Sequence, residues 1–201
     1  TGIGEFVAPQ DIVVNVTEGD IAAAVETAKA AVAKVGKITI NLTEGAAYTV
    51  NSSIVAPAGV VINGNGATVD ASASTVNIIE GVAEAPAAWE VVDSIAVKDV
   101  TIKGLGKALY YSAAKNRNIT NFLVDNSVVE VVKDVTIFDF TKGSVAMNFV
   151  VKNSTLYAPT ATTKSVYSSQ GGQKATEADA AAVQSFSFEN STLYNMTYNK
   201  N

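Results

Sequence analysis

A nine-residue pattern occurs three times in the second half of the chain: FLVDNSVVE at residues 122–130, FVVKNSTLY at residues 149–157 and FSFENSTLY at residues 186–194. A weaker copy, IAVKDVTIK, occupies residues 95–103, so successive copies begin 27, 27 and 37 residues apart. Residues 60–64 and 38–42 are earlier, degenerate copies. A repeat of this length with alternating apolar residues predicts one coil of a β-solenoid, in which coils stack at a spacing of about 4.8 Å.

Stacked coils place equivalent residues in rows. We expect the phenylalanines to stack inside and the asparagines to lie at one corner, bonded to the turn backbone: Phe122, Phe149, Phe186, Asn126, Asn153 and Asn190, with Asp99 below them. The position before each asparagine gives an outward row, made of Lys98, Asp125, Lys152 and Glu189. The charges in this row alternate in sign, which avoids repulsion between neighbouring strands.

The composition agrees with a β-rich fold. The chain has 201 residues, which suits one domain, and contains 29 Val and 13 Ile against 6 Leu. Branched side chains favour strands over helices. The Asn-Gly pairs within residues 63–66 are typical of tight turns, so a hairpin in an antiparallel sandwich is the rival fold.

One segment has the pattern of a helix. Thr17 is a candidate N-cap, with Asp20 at the acidic position of a capping box and Gly36 as C-cap. Five apolar residues recur every three or four positions on one face: Ile21, Val25, Ala28, Val32 and Val35. The predicted organisation is a lead-in at residues 1–16, a helix at residues 17–36 and a β-helix at residues 37–201. Residues 170–183 are predicted to leave the last coil as an excursion.

Charge and missing residue types exclude several functions. The chain has no Cys and no His, which removes thiolate zinc sites, Cys or His nucleophile systems and Ser-His-Asp triads. Its net charge of −5 argues against a nucleic-acid partner. No apolar run is long enough to span a bilayer. The sequence implies no cofactor and no metal.

The order of these elements resembles a known group. A helix, then GKITINLTEG at residues 36–45, then YTV at residues 48–50 and VVINGNG at residues 60–66 is similar to the N-terminal entry of right-handed parallel β-helices of the pectin-lyase-like superfamily. The NSTLY repeats resemble secreted or lipoprotein β-helix domains of unknown function in gut Bacteroidetes. The resemblance implies an all-β, right-handed parallel β-helix of about six coils with an N-terminal helical cap. It also implies an extracellular or outer-membrane-anchored location.

The chain departs from the enzymes of that superfamily. They have more coils, and their lyases often use Arg or Lys as the base, whereas the one arginine here, Arg117, lies in a predicted turn. The carboxylate pairs Asp125 with Glu130 and Asp134 with Asp139 are five residues apart, so on a strand they point to opposite faces. A calcium site at Asp99, Asp125 and Asp134 is conceivable, but corner residues that accept backbone hydrogen bonds are the favoured interpretation.

The most concrete candidate site is an outward row that contains Tyr157 and Tyr194, extended by Glu130 and Lys103. Outward aromatic rings can stack on sugar rings. We therefore expect a non-catalytic, carbohydrate-associated or adhesive module with a polysaccharide as partner. The alternatives are a polysaccharide lyase or glycoside hydrolase, and a structural domain of a larger surface protein. An uncapped last coil would expose a sheet edge, so C-terminal residues, a partner or a further domain should cover it.

Overall fold

The computed structural model describes residues 6–85, 87, 90–114, 117–133, 135–140, 145–160, 165–169 and 185–199. In them the chain makes seven stacked rungs. The first holds β1 (Gln10–Val16), β2 (Gly19–Asp20) and the helix α1 (Ile21–Lys29). The second and third hold β3 (Val35–Leu42), β4 (Ala47–Thr49) and β5 (Ile54–Val55), then β6 (Val60–Asp70) and β7 (Ile79–Glu80). The fourth holds β8 (Glu90–Leu105) and β9 (Tyr110–Tyr111).

The last three rungs each contain three strands. The fifth holds β10 (Arg117–Asp125), β11 (Val128–Val131) and β12 (Thr136–Phe140), and the sixth holds β13 (Val145–Lys152), β14 (Thr155–Tyr157) and β15 (Ser165–Ser169). The seventh holds β16 (Ser185–Glu189), β17 (Thr192–Tyr194) and β18 (Thr197–Asn199). The predicted excursion at residues 170–183 lies outside the described residues.

The strands form three faces around one core. The first face runs β1-β3-β6-β8-β10-β13-β16, and the third is a six-stranded sheet ordered β18-β15-β12-β9-β7-β5. The second face contains β2, β4, β11, β14 and β17, with the C-terminal parts of β6 and β8. Every strand pairing in the described part of the chain is parallel. The fold is therefore the predicted all-β parallel β-helix, and no hairpin forms at residues 63–66.

The lead-in segment is part of the solenoid. β1 pairs with β3 in register, with Ile12 opposite Ile38 and Asn15 opposite Asn41. It therefore forms the first rung, which raises the number of coils from the expected six to seven. β1 and β3 therefore belong to the same stack of rungs.

The helix caps the N-terminal end, but it is shorter than predicted. Asp20, not Thr17, is the N-cap, and its carboxylate accepts a hydrogen bond from the Ala22 N–H at 3.2 Å. Helix formation cannot begin earlier because Gly19 and Asp20 pair with β4. Gly36 does not cap the helix either. It lies in β3, where a Cβ would meet the Asp11 carboxylate and the Gln10 backbone.

The phenylalanine row is confirmed inside the solenoid. Phe122 and Phe149 are buried and stack with centroids 5.1 Å apart, and Phe186 stacks on Phe149 at 4.5 Å. Towards the N-terminus the same row continues through aliphatic residues, namely Ile95, Val60, Ile38 and Ile12. This row is thus aliphatic in the early rungs and aromatic in the late ones.

The asparagine corner between the first and second faces is confirmed in position, but the amides of Asn126 and Asn153 bond to side-chain carboxylates and not, as predicted, to the turn backbone. Asp99, Asn126, Asn153 and Asn190 all have left-handed backbones, with φ between 45° and 52°. Asn tolerates this conformation better than most residues, which explains its repetition. The Asn126 amide donates to Asp99, and the Asn153 amide donates to Asp125 at 3.1 Å.

Candidate functional site

The register brings the two predicted tyrosines side by side on the second face. Tyr157 of β14 pairs with Tyr194 of β17, and Glu130 of β11 pairs with Tyr157. Tyr194 is 59% exposed and Tyr157 is half-buried. We call Lys103, Glu130, Tyr157 and Tyr194 the tyrosine row. It presents two neighbouring phenol rings at the C-terminal end of the solenoid.

Hydrogen bonds hold the centre of this row. The Tyr157 hydroxyl donates to Glu130 Oε1 at 3.0 Å, and the Gly104 N–H donates to Glu130 Oε2 at 2.9 Å. Both carboxylate oxygens are therefore engaged. These two hydrogen bonds fix the Glu130 carboxylate, which in turn holds the Tyr157 ring in one orientation.

Lys103 lies at the other end of the row, and its side chain is exposed. It pairs with Asp70 of β6, while the register between β8 and β11 shifts after Ile102. Hydrogen bonds from Ser72 hold the pKa of Asp70 below its usual value, and the charge of Lys103 adds a smaller effect. Lys103 therefore lies beside the Asp70 carboxylate, at the end of the row away from the tyrosine rings.

The hydrogen bond to Glu130 predicts a raised pKa for the Tyr157 phenol. Its hydrogen bond to Glu130 raises the pKa of the phenol, with contributions from desolvation and from the charge of the carboxylate. The stabilisation from this bond should be complete below the ordinary tyrosine pKa, near 10, and be lost as the pH rises through the raised value. Ultraviolet or NMR titration should show the Tyr157 phenol ionising above the ordinary tyrosine pKa. In Glu130→Gln the pKa of Tyr157 should fall. An unchanged pKa would show that the Glu130 carboxylate does not raise it.

The carboxylates of Asp125 and Glu130 do not converge. Asp125 is on the first face, 3.3 Å from Lys152 Nζ, whereas Glu130 is on the second face beyond the Asn126 corner. Asp134 lies outside the described residues, so neither its pairing with Asp139 nor its part in a calcium site can be placed. Among the residues that are described, no three carboxylates cluster as metal ligands.

The prediction that Arg117 lies in a turn was wrong. It begins β10, is 5% exposed, and donates to the carbonyls of Val82 and Glu84 at 2.8 and 2.7 Å. Its Nε lies 3.7 Å from the Glu90 carboxylate. Burial raises the pKa of nearby Tyr110, an effect that the charge of Arg117 opposes. The guanidinium therefore holds the loop after β7 in place through these hydrogen bonds.

Replacing Arg117 by methionine should destabilise the fold by about 1–3 kcal/mol, because two carbonyls lose their donors. Urea unfolding measures the loss. Arg117→Lys should fall between methionine and wild type, since one ammonium cannot reproduce the planar fork. Wild-type stability in the methionine variant would show that the hydrogen bonds of Arg117 do not stabilise the loop after β7.

Sequence reasoning missed a second group of polar residues, on the outer side of the six-stranded sheet. Tyr111 pairs with Glu80 on one side and with Asp139 on the other. A depression of about 340 Å³ beside Tyr111 and Asp139 is lined in part by these two residues and by Asn77, Lys107 and Thr136. The three strands are short, belong to separate rungs and share no sequence motif. The sequence pattern therefore could not predict that these residues lie together.

A three-faced parallel solenoid with a helical N-terminal cap and residue rows along its faces defines a parallel β-helix protein. The family model described as "Domain of unknown function (DUF4957)" matches residues 20–159. The chain belongs to this family. No curated protein and no solved structure matched the chain. In the described residues, no helix is long and apolar enough to cross a membrane.

Proposed function

We propose that the protein is a non-catalytic, carbohydrate-associated module of the cell exterior, and that the tyrosine row is its binding surface. The carrying observation is the adjacent pair Tyr157 and Tyr194 on neighbouring strands, one ring held by Glu130 and the other largely exposed. Aromatic rings offer large apolar area at low entropy cost and a hydroxyl at the edge. Sugar rings combine an apolar face with peripheral hydroxyls, so they match this surface.

The arrangement of the row supports binding by a polymer. Neighbouring strands are about 4.8 Å apart, so the Lys103-to-Tyr194 row extends over roughly 14 Å. Beside it runs a row of three threonines interrupted by one valine, in the order Thr101, Val128, Thr155 and Thr192. A glycan lying along the row would meet hydroxyls on one side and phenol rings below.

A glycan array tests the proposal. Wild-type protein should retain at least one glycan, and Tyr157→Ala/Tyr194→Ala should lose it. Truncating a tyrosine at the centre of an interface often costs about 2 kcal/mol, so a loss of at least tenfold is expected. The matched control is Tyr157→Phe/Tyr194→Phe, which keeps the rings and should keep most of the binding. Array binding that is unaffected by the alanine pair would refute the tyrosine row.

The proposed location and the link to pectin-lyase-like and Bacteroidetes proteins follow from the sequence resemblance. Protease accessibility on intact cells of the source organism tests the location. Digestion of the protein without lysis is expected, and protection until lysis would contradict an extracellular or outer-membrane-anchored site.

The partly buried apolar side chains of the last described rung support a covering partner or a further domain. In the described residues, β16, β17 and β18 each pair with one neighbouring strand, and Phe186, Phe188, Leu193 and Met196 are only partly buried. Hydrogen exchange at the β16 amides tests this: exchange should be slower in the protein as it occurs in the cell than in the isolated residues 1–201. Equal exchange would contradict the proposal.

A second candidate function is glycoside hydrolysis on the outer side of the six-stranded sheet, at the row made of Glu80, Tyr111 and Asp139. Glu80 and Asp139 lie two rungs apart in one row, which separates their backbones by about 9–10 Å. Carboxyl groups about 6.5–9.5 Å apart suit an inverting mechanism, in which one acts as acid and the other activates water. Product analysis after incubation with polysaccharides tests it. Activity should vanish in Glu80→Gln and Asp139→Asn and persist in Asp125→Asn, and the absence of products from wild type would rule it out.

A further inference from the structure

The outer side of the first face carries a trough that is separate from the tyrosine row. Its floor is a row of aliphatic side chains, in which Ala96 pairs with Leu123 and Leu123 pairs with Val150. Leu123 and Val150 point outward and are half-buried. One wall is a polar row made of Ser94, Asn121, Asn148 and Ser185, and the other is the charged row made of Lys98, Asp125, Lys152 and Glu189.

The trough deepens at its C-terminal end. A depression of about 360 Å³ is lined there by residues of both walls and of the floor, among them Asn121, Leu123, Asn148, Val150, Lys152 and Glu189. This volume lies at the lower end of the range typical of ligand sites. The walls are four residues apart along each strand, or about 13 Å between backbones. A single sugar ring with its hydroxyls fits between them.

The polar wall is pre-ordered and keeps donor capacity. Ser185 Oγ donates to Asn148 Oδ1 at 3.1 Å, and Asn148 Nδ2 donates to Asn121 Oδ1 at 3.2 Å. Asn121 is the last residue of this series of hydrogen bonds. Its exposed amide nitrogen has no acceptor among the described residues. Asn148 Nδ2 also donates to the Thr120 carbonyl at 3.2 Å, so the free amide donor that this wall offers to a ligand on the floor is that of Asn121.

The charged wall selects against charged polymers. Its charges alternate from rung to rung, and Lys152 already pairs with Asp125 at 3.3 Å. A uniformly charged chain lying along the wall would meet one repulsive group for each attractive one. An uncharged chain meets only hydrogen-bonding groups.

Spacing distinguishes a glycan from a peptide. The wall repeats at about 4.8 Å, whereas an extended peptide repeats at about 3.3 Å per residue and falls out of step within one rung. A sugar ring in an extended chain has nearly the length of one rung. We propose that this trough is a second glycan-binding surface, whose ligand is an extended, uncharged oligosaccharide lying parallel to the solenoid axis.

NMR titration of ¹⁵N-labelled protein tests the proposal with four neutral hexasaccharides, of glucose, mannose, xylose and N-acetylglucosamine in β-1,4 linkage, and with hexagalacturonate as the charged comparator. At least one neutral hexamer should shift the side-chain amides of Asn121 and Asn148. Its Kd should rise at least tenfold in Asn121→Ala/Asn148→Ala. Leu123→Glu should weaken binding similarly, while Leu123→Met, which keeps an apolar floor, should bind as wild type.

The controls separate this site from the tyrosine row. Tyr157→Ala/Tyr194→Ala should leave the Asn121 and Asn148 shifts unchanged, even if it abolishes other glycan binding. The trough is refuted if no neutral hexamer shifts these amides, if the shifts disappear only in the tyrosine variant, or if hexagalacturonate binds as tightly. Any of these results leaves the proposed function of the tyrosine row to its own test.

Discussion

Replacing Phe122 by alanine should lower the free energy of unfolding by about 3–5 kcal/mol. The side chain is fully buried, and its ring lies within 5.1–5.9 Å of Phe138, Phe140, Phe149 and Tyr110, measured between centroids. Removing it opens a cavity where two faces meet, and rigid strand pairing above and below prevents collapse. Urea unfolding followed by circular dichroism measures the loss.

Phe186→Ala is the matched control, because Phe186 occupies the same row in the last described rung. It is only partly buried, although it stacks on Phe149 at 4.5 Å. Its truncation should cost less than half as much as that of Phe122. Equal losses at the two positions would contradict an aromatic core centred on the fifth and sixth rungs.

Gly64→Ala should also be severely destabilising, by about 3 kcal/mol or more, through overpacking. A Cβ at this position would lie 2.5 Å from the Cβ of Val100 and even closer to the carbonyl oxygen of Asp99. The register explains the crowding, since three residues of β6 pass the corner where β8 uses one. The neighbouring atoms belong to the backbone and to a short side chain, so they cannot swing away.

Gly45→Ala separates this steric effect from backbone strain. Gly45 has a φ of 71°, but nothing lies within 4 Å of the position that a Cβ would take there. Only the left-handed penalty applies at this residue, about 1–2 kcal/mol. Differential scanning calorimetry should rank Gly64→Ala well below Gly45→Ala in melting temperature. The reverse order would show that the β6–β8 corner has room for a side chain.

The sequence predicted the features that repeat along the solenoid axis. The phenylalanine stack, the asparagine corner and the outward charge row all follow from one pattern, because each rung places equivalent residues one strand spacing apart. The same logic placed Tyr157 beside Tyr194. It also left a signal unused: the serine after each asparagine forms a second ladder, in which the Ser127 N–H donates to Ser154 Oγ at 3.0 Å.

Features that depend on single contacts could not be predicted. The helix begins after its Asp20 cap because Gly19 and Asp20 pair with β4, which lies almost thirty residues later in the chain. Arg117 resembled a turn residue because its partners, the carbonyls of Val82 and Glu84, are more than thirty positions earlier in the chain. The Glu80, Tyr111 and Asp139 row lies on short strands whose sequences do not resemble one another.

Calorimetric titration of the glycan identified on the array tests the central claim, which is binding without turnover through the tyrosine row. Wild-type protein should give heats that saturate, and Tyr157→Ala/Tyr194→Ala should give only the heat of dilution. Glu80→Gln/Asp139→Asn should bind as wild type. The claim would be contradicted by unchanged heats in the tyrosine variant, or by a sustained heat of turnover that the Glu80→Gln/Asp139→Asn variant abolishes.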